Sequence, residues 1–195
     1  MSFSYEELAE IRHYIHQHPE LSGQEYQTTA FLRERLEELG IRILESGLKT
    51  GLIAEIGSGK PVVALRADID ALPILEQTNL PYQSQHPGVM HACGHDFHQT
   101  SLLGAAALLK EKEDQLEGTI RLIFQPAEEI SEGASDVLAT GLLEDVQGII
   151  GFHNMPQLKA GQLALNAGAM MAGVEKFKVT VTGVSSHAAR PDLGV

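Results

Sequence analysis

The 195-residue sequence has few basic residues, a single cysteine and no long apolar run. Its 14 lysine and arginine residues stand against 26 aspartate and glutamate residues, so the formal net charge is -12 at pH 7. A surface of this charge repels phosphate backbones and anionic lipids. A run of about 18 apolar residues, which a membrane helix would need, is absent from the sequence. We therefore expect neither nucleic acid nor a membrane as a partner.

The one cysteine, Cys93, excludes a disulfide within the chain and is typical of a reducing compartment. The first residues lack the basic and apolar segments that mark secretion. Both observations favour the cytoplasm. A lone cysteine is either a buried apolar residue or a thiol used for chemistry, and composition by itself favours the first.

Hydrophobic spacing predicts an α/β fold with a mostly parallel sheet flanked by helices. Ser4 and Glu7 form a capping-box pattern at the start of a first helix, which Pro19 ends. The runs that begin at Val62 and Ile120 are almost continuously apolar, as in strands covered on both faces. The predicted helices span about 4–18, 25–39, 97–111 (with Asp96 as N-cap) and 133–138, and the predicted strands span 51–56, 62–67, 119–124 and 148–152.

A last strand of another type is predicted at 174–182. Phe177, Val179 and Val181 alternate there with lysine and threonine, as in a half-solvated antiparallel strand. Small residues before it suggest a hinge, so we place a first domain at 1–171 and the beginning of a second at 172–195. A single strand with an apolar face has no partner with which to pair. We therefore expect the chain to be the truncated N-terminal part of a longer protein.

Side chains that bind metals or move protons lie in four short clusters, most of them directly after a predicted strand. The clusters are 66–73 with Asp68 and Asp70, 90–98 with Cys93, His95 and Asp96, 125–129 with Glu128 and Glu129, and 151–156 with His153. Open α/β sheets place their sites at the carboxyl ends of strands. We therefore expect all four clusters to meet on one rim of the sheet.

Each cluster also has an ordinary interpretation. Cys93 and His95 could be a structural cysteine beside a loop histidine, although Gly94 between them lets a thiolate and an imidazole face one centre. Glu128 and Glu129 could form a solvated turn, although two carboxylates at a sheet edge favour a cation or a shared proton. His153 could be an ordinary core histidine. Asp68 and Asp70 could form a helix cap or a solvated turn.

Five segments, in order along the chain, resemble those of a known family. They are HPEL at 18–21, LRADIDALP at 65–73, HACGHD at 91–96, QPAEE at 125–129 and SHAARP at 186–191. These segments resemble the M20 family of metallopeptidases. They are most similar to its amidohydrolase branch, which includes hippurate hydrolases, N-acyl-amino-acid deacylases, N-acetyldiaminopimelate deacetylase and auxin-conjugate hydrolases.

The resemblance implies an incomplete zinc-peptidase-like catalytic domain, followed by the start of an α+β lid and dimerisation domain. It implies four ligands for a pair of divalent metal ions: Cys93, His95, Glu129 and His153. Glu128 would be the general base, and His187 would polarise the substrate carbonyl, often from the other subunit of a dimer. The residues expected to support the site from behind the ligands are Asp70, Asp68 and Asp96.

The reaction implied by the resemblance is hydrolysis of the amide bond of a small N-acyl amino acid by a metal-activated water. A thiolate with imidazole and carboxylate suits zinc, and manganese, cobalt or nickel could use the same ligands. The full-length parent is expected to be a homodimer. The family's fifth ligand is a histidine further downstream, so we expect the 195-residue piece alone to be weakly metallated and inactive.

Two other functions remain open at this stage. Cys93 could be the nucleophile of a cysteine hydrolase with a nearby histidine as its base, although that leaves Glu129 and His153 without a role. The chain could also be a non-catalytic metal-binding relative, against which the intact Glu128 argues. Inactivation by a chelator would support the metal-dependent enzyme, and inactivation by iodoacetamide alone would support the cysteine hydrolase.

Overall fold

The structure is a computed structural model that describes residues 3–175, 177–180 and 182–194. It divides into two compact units, Met1–Met155 and Pro156–Val195. Among the described residues, every α-helix and β-strand lies in the first unit, and the second has only a 3₁₀ turn at Pro191–Leu193. The domain boundary expected at residue 172 stays a prediction.

A five-stranded sheet with the order β1-β2-β4-β3-β5 forms the centre of the first unit. Its strands are β1 (Arg42–Leu44), β2 (Leu52–Gly57), β3 (Val62–Asp68), β4 (Thr119–Gln125) and β5 (Val146–Gly151). β3 pairs in parallel with β4 and β5, whereas β2 pairs antiparallel with β1 and β4. β1 therefore runs in the same direction as β4, and only β2 opposes the other four strands of this sheet. The predicted α/β class with a mostly parallel sheet is confirmed.

Four α-helices accompany the sheet: α1 (Tyr5–Gln17), α2 (Tyr26–Glu38), α3 (His95–Lys110) and α4 (Gly133–Ala139). The predicted capping box starts α1, because the Ser4 hydroxyl accepts a hydrogen bond from the Glu7 amide while the Glu7 carboxylate accepts one from the Ser4 amide. In the described part of the chain, no helix is long and apolar enough to cross a bilayer.

Apolar side chains cover the sheet on both faces. Leu122 and Phe124 of β4 pack into a core with Leu32 of α2 and Leu103 of α3, and all four are fully buried. Ile123, between them, belongs to a second core on the opposite face, beneath α4. Successive residues of one strand thus enter different cores. This arrangement explains why Leu122, Ile123 and Phe124 of β4 form a continuous apolar run rather than an alternating one.

The strand predicted at 174–182 is not present in the described residues of that range, which are 174, 175, 177–180 and 182. Lys176 and Val181 lie outside the described residues. The prediction of a strand is wrong for the residues that are described, because an extended segment needs a neighbouring strand for its backbone hydrogen bonds. The alternating pattern indicates only which side chains would share a face if such a partner were present.

Candidate metal centre

The parallel strands bring the predicted clusters to one edge of the sheet. Asp68, the last residue of β3, lies in register with Gln125, the last residue of β4. His153 follows the end of β5 by two residues, and β5 is the other neighbour of β3. Parallel strands end on the same side. The predicted convergence of the four clusters on this rim is therefore present in the first unit.

The turn between Cys93 and His95 requires glycine. Gly94 has φ +89°, and a β-carbon built there would lie 2.3 Å from the side-chain oxygen of Asn154. Its carbonyl accepts hydrogen bonds from the amides of Phe97 and His98, so Gly94 is the N-cap of α3. This left-handed turn presents Cys93 and His95 together at the start of the helix.

Potential metal-ligating atoms gather around His95. The His95 Nε2 atom lies 3.7 Å from Glu129 Oε1 and 4.0 Å from Glu128 Oε2. The Sγ atom of Cys93 lies 3.3 Å from Nε2 of His153. Among the described residues, three groups have ligand atoms within 4.8 Å of one another, and His95 belongs to each: Cys93, His95 and His153; Asp68, His95 and His98; His95, Glu128 and Glu129.

Two buried atoms at this centre have no hydrogen-bond partner among the described residues. They are His95 Nε2 and Glu129 Oε1, which face each other beyond hydrogen-bonding distance. A buried polar atom without a partner costs about 1 to 3 kcal/mol. Divalent metal ions in proteins take imidazole nitrogen, carboxylate oxygen and thiolate sulfur as ligands. These two atoms, with the Cys93 thiol and the His153 imidazole beside them, provide that set. The residues present therefore fit a bound metal.

Asp70 supports this centre from behind. It is 1% exposed, and Nδ1 of His95 lies 2.9 Å from its backbone oxygen and 3.2 Å from its Oδ1. A proton on Nδ1 leaves Nε2 free to ligate. The other carboxylate oxygen accepts hydrogen bonds from the Ser22 hydroxyl and the Glu129 amide. Burial opposes ionisation, but these hydrogen bonds lower the pKa of Asp70.

His98 was not predicted, although it lies one helical turn after His95 on α3. It is fully buried, and its Nδ1 lies 2.7 Å from Asp68 Oδ1, while its Nε2 lies 2.6 Å from Asn154 Oδ1 and 3.0 Å from the Asn154 backbone nitrogen. His98 therefore joins the end of β3 to the residue that follows His153. We call Asp68, Asp70 and His98 the supporting layer. The spacing of three residues from His95 was the available sequence signal.

Negative charge at the centre shifts several pKa values. Burial and the carboxylates of Glu129, Asp68 and Glu128 raise the pKa of the Cys93 thiol to about 12. Burial and the neighbouring Asp68 and Glu129 likewise raise the pKa of Glu128. Burial opposes ionisation of Asp68, but His98, His95 and Arg66 lower its pKa to about 2. A bound cation would reverse the effect on Cys93, because positive charge favours the thiolate.

Asp96 belongs to none of the three ligand groups of the first unit, and His187 lies in the second unit. The prediction that Asp96 caps α3 is wrong, because the helix begins at His95, two residues before the predicted start, and the Asp96 carboxylate pairs instead with Arg12 and His16 of α1. Asp96 thereby joins α1 to α3 beside His95. His187 lies in the second unit, where it is exposed and its Nδ1 accepts a hydrogen bond from the Ala189 amide. The role expected for His187 stays a prediction.

Comparison with known proteins identifies the family. The model of peptidase family M20/M25/M40 matches residues 64–192. The chain belongs to this family. The predicted resemblance to M20 metallopeptidases is confirmed, and the match covers most of the rim residues described above.

Two curated relatives of this M20 chain are named as a deacetylase and as an amino acid hydrolase. An N-acetyl-L-cysteine deacetylase of Bacillus subtilis is 53% identical over 190 residues, which is 96% of this chain and 46% of that protein. An IAA-amino acid hydrolase of Arabidopsis thaliana is 46% identical over 186 residues, which is 95% of this chain and 43% of that protein. The chain thus spans less than half the length of these two relatives.

A solved structure of a Bacillus subtilis protein shares the fold. It is described as a dinuclear metal binding peptidase from the M20 family. It is 56% identical, has a TM-score of 0.76, and covers 77% of this chain and 43% of its own. The expected catalytic-domain fold is therefore confirmed for the part of the chain that it covers.

Proposed function

We propose that the protein is a metal-dependent amidohydrolase that cleaves the amide bond of N-acyl amino acids. The observation that carries this proposal is the pair of buried, unpartnered atoms, His95 Nε2 and Glu129 Oε1, beside the thiol of Cys93. The two named relatives, a deacetylase of N-acetylcysteine and a hydrolase of an IAA-amino acid conjugate, support the substrate class.

The proposed cofactor is a pair of divalent metal ions, in keeping with the dinuclear Bacillus subtilis structure. The proposed ligands within this chain are Cys93, His95, Glu129 and His153. When bound, such ions lower the pKa of a water molecule and polarise a carbonyl group. Sulfur, nitrogen and oxygen donors together favour zinc, with manganese, cobalt or nickel as alternatives for the same donors.

Glu128 is the proposed general base. Its pKa is raised by burial and by Asp68 and Glu129, toward the range in which a carboxylate can accept and return a proton. Its side chain is 40% exposed, whereas that of Glu129 is 19% exposed, so Glu128 is the more accessible to water and substrate. Glu128 would take a proton from the attacking water and pass it to the leaving amine.

The remaining roles are those implied by the family resemblance. Asp70 would fix the His95 tautomer and the backbone of Glu129, which agrees with its hydrogen bonds. His187 would polarise the substrate carbonyl in a homodimeric parent protein. The single cysteine, which excludes an internal disulfide, supports the cytoplasm as the location.

A cysteine-nucleophile mechanism finds little support at this centre. Nucleophilic cysteines have a lowered pKa beside cationic groups. The pKa of Cys93 is raised to about 12 instead, by burial and by the carboxylates of Glu129, Asp68 and Glu128, even with the His153 imidazole beside the thiol. The environment of Cys93 thus suits a metal ligand better than a free nucleophile.

The function can be tested on the intact protein by metal analysis and a screen of N-acyl amino acids, with N-acetylcysteine among them. Chelation should abolish turnover, and zinc or manganese should restore it. Glu128→Gln should lower kcat by about 10²- to 10⁴-fold at unchanged metal content. Glu132→Gln is the matched control, because Glu132 is exposed and lies just after the two site glutamates in the sequence. Chelator-resistant turnover, or full activity of Glu128→Gln, would contradict the proposal.

A further inference from the structure

Glu25 is a fully buried carboxylate that none of the proposed roles includes. It occupies the N-cap position of α2 and has no exposed surface. Its Oε1 accepts hydrogen bonds from the amides of Gly23, at 2.9 Å, and Ala127, at 2.8 Å. Its Oε2 accepts a hydrogen bond from the Thr50 hydroxyl, at 2.7 Å. One side chain therefore ties together three segments that are distant in sequence.

Of these three contacts, the one with Ala127 bears on the metal centre. Ala127 directly precedes Glu128 and Glu129, and it has φ +49°, a left-handed conformation that is unfavourable for a residue with a side chain. The carbonyl of Ala127 accepts hydrogen bonds from the amides of Glu132 and Gly133. Its backbone is thus held on one side by Glu25 and on the other by the turn that leads into α4.

A change at Ala127 would move both acidic side chains. Relaxation of its backbone to an ordinary right-handed or extended conformation would redirect the chain at Glu128 and Glu129. The Glu129 carboxylate would then lose its position opposite His95, although Asp70 still accepts a hydrogen bond from the Glu129 amide. The conformation of Ala127 and the direction of the two carboxylates are therefore coupled.

We propose that Glu25 is a positioning residue, which acts through the Ala127 amide to aim Glu128 and Glu129 into the metal centre. This inference rests on the proposed function for the roles of those two glutamates. It predicts that the reach of the Glu25 side chain matters and that its negative charge does not.

Two substitutions separate reach from charge. Glu25→Gln keeps the length: its amide oxygen can accept from Gly23 and Ala127, while its amide nitrogen can donate to Thr50. Glu25→Asp keeps the charge but is one methylene shorter, so it cannot hold Ala127 at the present distance. Aspartate is also a favoured N-cap residue, so Glu25→Asp preserves the start of α2 and should fold.

Metal affinity is the first measurement, made on the intact protein by titrating the metal-free form with Co²⁺ and following the absorption of the bound ion. Glu25→Asp should weaken Co²⁺ binding by about 10- to 100-fold, as is usual for residues that orient metal ligands. Glu25→Gln should bind Co²⁺ within about threefold of the wild type, because its hydrogen bonds are retained. Equal affinity of Glu25→Asp and the wild type would overturn the proposal.

Glu20→Asp is the matched control at the same end of α2. The Glu20 carboxylate accepts hydrogen bonds from the Gln27 and Thr28 amides and from the Thr28 hydroxyl, and these three donors all belong to α2. Its shortening should lower the melting temperature without changing Co²⁺ affinity. If Glu20→Asp weakens Co²⁺ binding as much as Glu25→Asp does, general loosening of α2 explains the effect and the positioning role is refuted.

Turnover gives a second, separable measurement. At saturating metal, Glu25→Asp should lower kcat for an N-acyl amino acid by about 10-fold or more, with KM nearly unchanged. A wild-type protein that binds Co²⁺ but hydrolyses no such substrate would defeat the proposed function, and the Co²⁺ affinities would still decide the role of Glu25. A wild type that binds no Co²⁺ would overturn both proposals.

Discussion

The substitution Asp70→Asn tests whether the supporting layer controls the metal centre. The Asp70 carboxylate accepts from three donors: His95 Nδ1, the Ser22 hydroxyl and the Glu129 amide. An asparagine has one acceptor oxygen and one donor nitrogen in place of the two oxygens. If the asparagine oxygen accepts from His95, the asparagine nitrogen faces the Ser22 hydroxyl and the Glu129 amide. The hydroxyl can turn and become the acceptor, but the Glu129 amide can only donate and is left without an acceptor.

The expected magnitude follows from that one unsatisfied pair. A buried amide without an acceptor costs about 1 to 3 kcal/mol, which corresponds to about a 5- to 150-fold change in an equilibrium constant. With the asparagine amide flipped, its nitrogen faces His95 Nδ1 instead. That nitrogen already carries a proton, which it donates to the backbone oxygen of residue 70, so two donors would face each other. We therefore expect Asp70→Asn to weaken metal binding by about 10- to 100-fold.

The assay is competition for Zn²⁺ against a chelator of known affinity, with the melting temperature of the metal-free protein measured in parallel. Ser22→Ala is the control, because it removes one hydrogen bond to Asp70 and leaves His95 and Glu129 in place. It should change Zn²⁺ affinity by less than about threefold. Wild-type Zn²⁺ affinity in folded Asp70→Asn would refute the reasoning.

Labelling, packing and pH give three independent checks. Cys93 in the metal-free protein should react with iodoacetamide at least about 100-fold more slowly than free cysteine near pH 8, because its pKa is raised to about 12. Mass spectrometry measures the rate of labelling. Equal rates for Cys93 and free cysteine would contradict the raised pKa. Leu103→Ala, at a fully buried position, should lower the free energy of unfolding by about 2 to 5 kcal/mol in a denaturant titration. Burial opposes protonation of His16, but Asp96 and Glu76 raise its pKa in the folded protein. The wild type should therefore be more stable than His16→Gln, and this difference should be complete below about pH 6.5, the ordinary pKa of histidine. It should disappear as the pH rises through the raised pKa, which unfolding curves at several pH values would show.

Much of the α/β architecture was predictable because it depends on local patterns. The capping box at Ser4 and the apolar runs of β3 and β4 identify their elements within a few residues of the observed bounds. The three-residue strand Arg42–Leu44 was missed, because so short an edge strand has no period of its own and exists through its pairing with β2. The strand predicted at 174–182 failed for the same reason, since the pattern was present without a partner in the described residues.

By itself, the sequence determined which residue types could make a metal site and the order in which they occur. Residue type, position after strands and family resemblance together indicate the four candidate ligands Cys93, His95, Glu129 and His153. The hydrogen-bond partners behind them were decided only by tertiary structure. The carboxylate of Glu25 meets the amide of a residue 102 positions away, and His98 meets Asp68 and Asn154 from two other elements. Periodicity reports which face of an element is buried, whereas a buried polar group's partner depends on how distant segments pack.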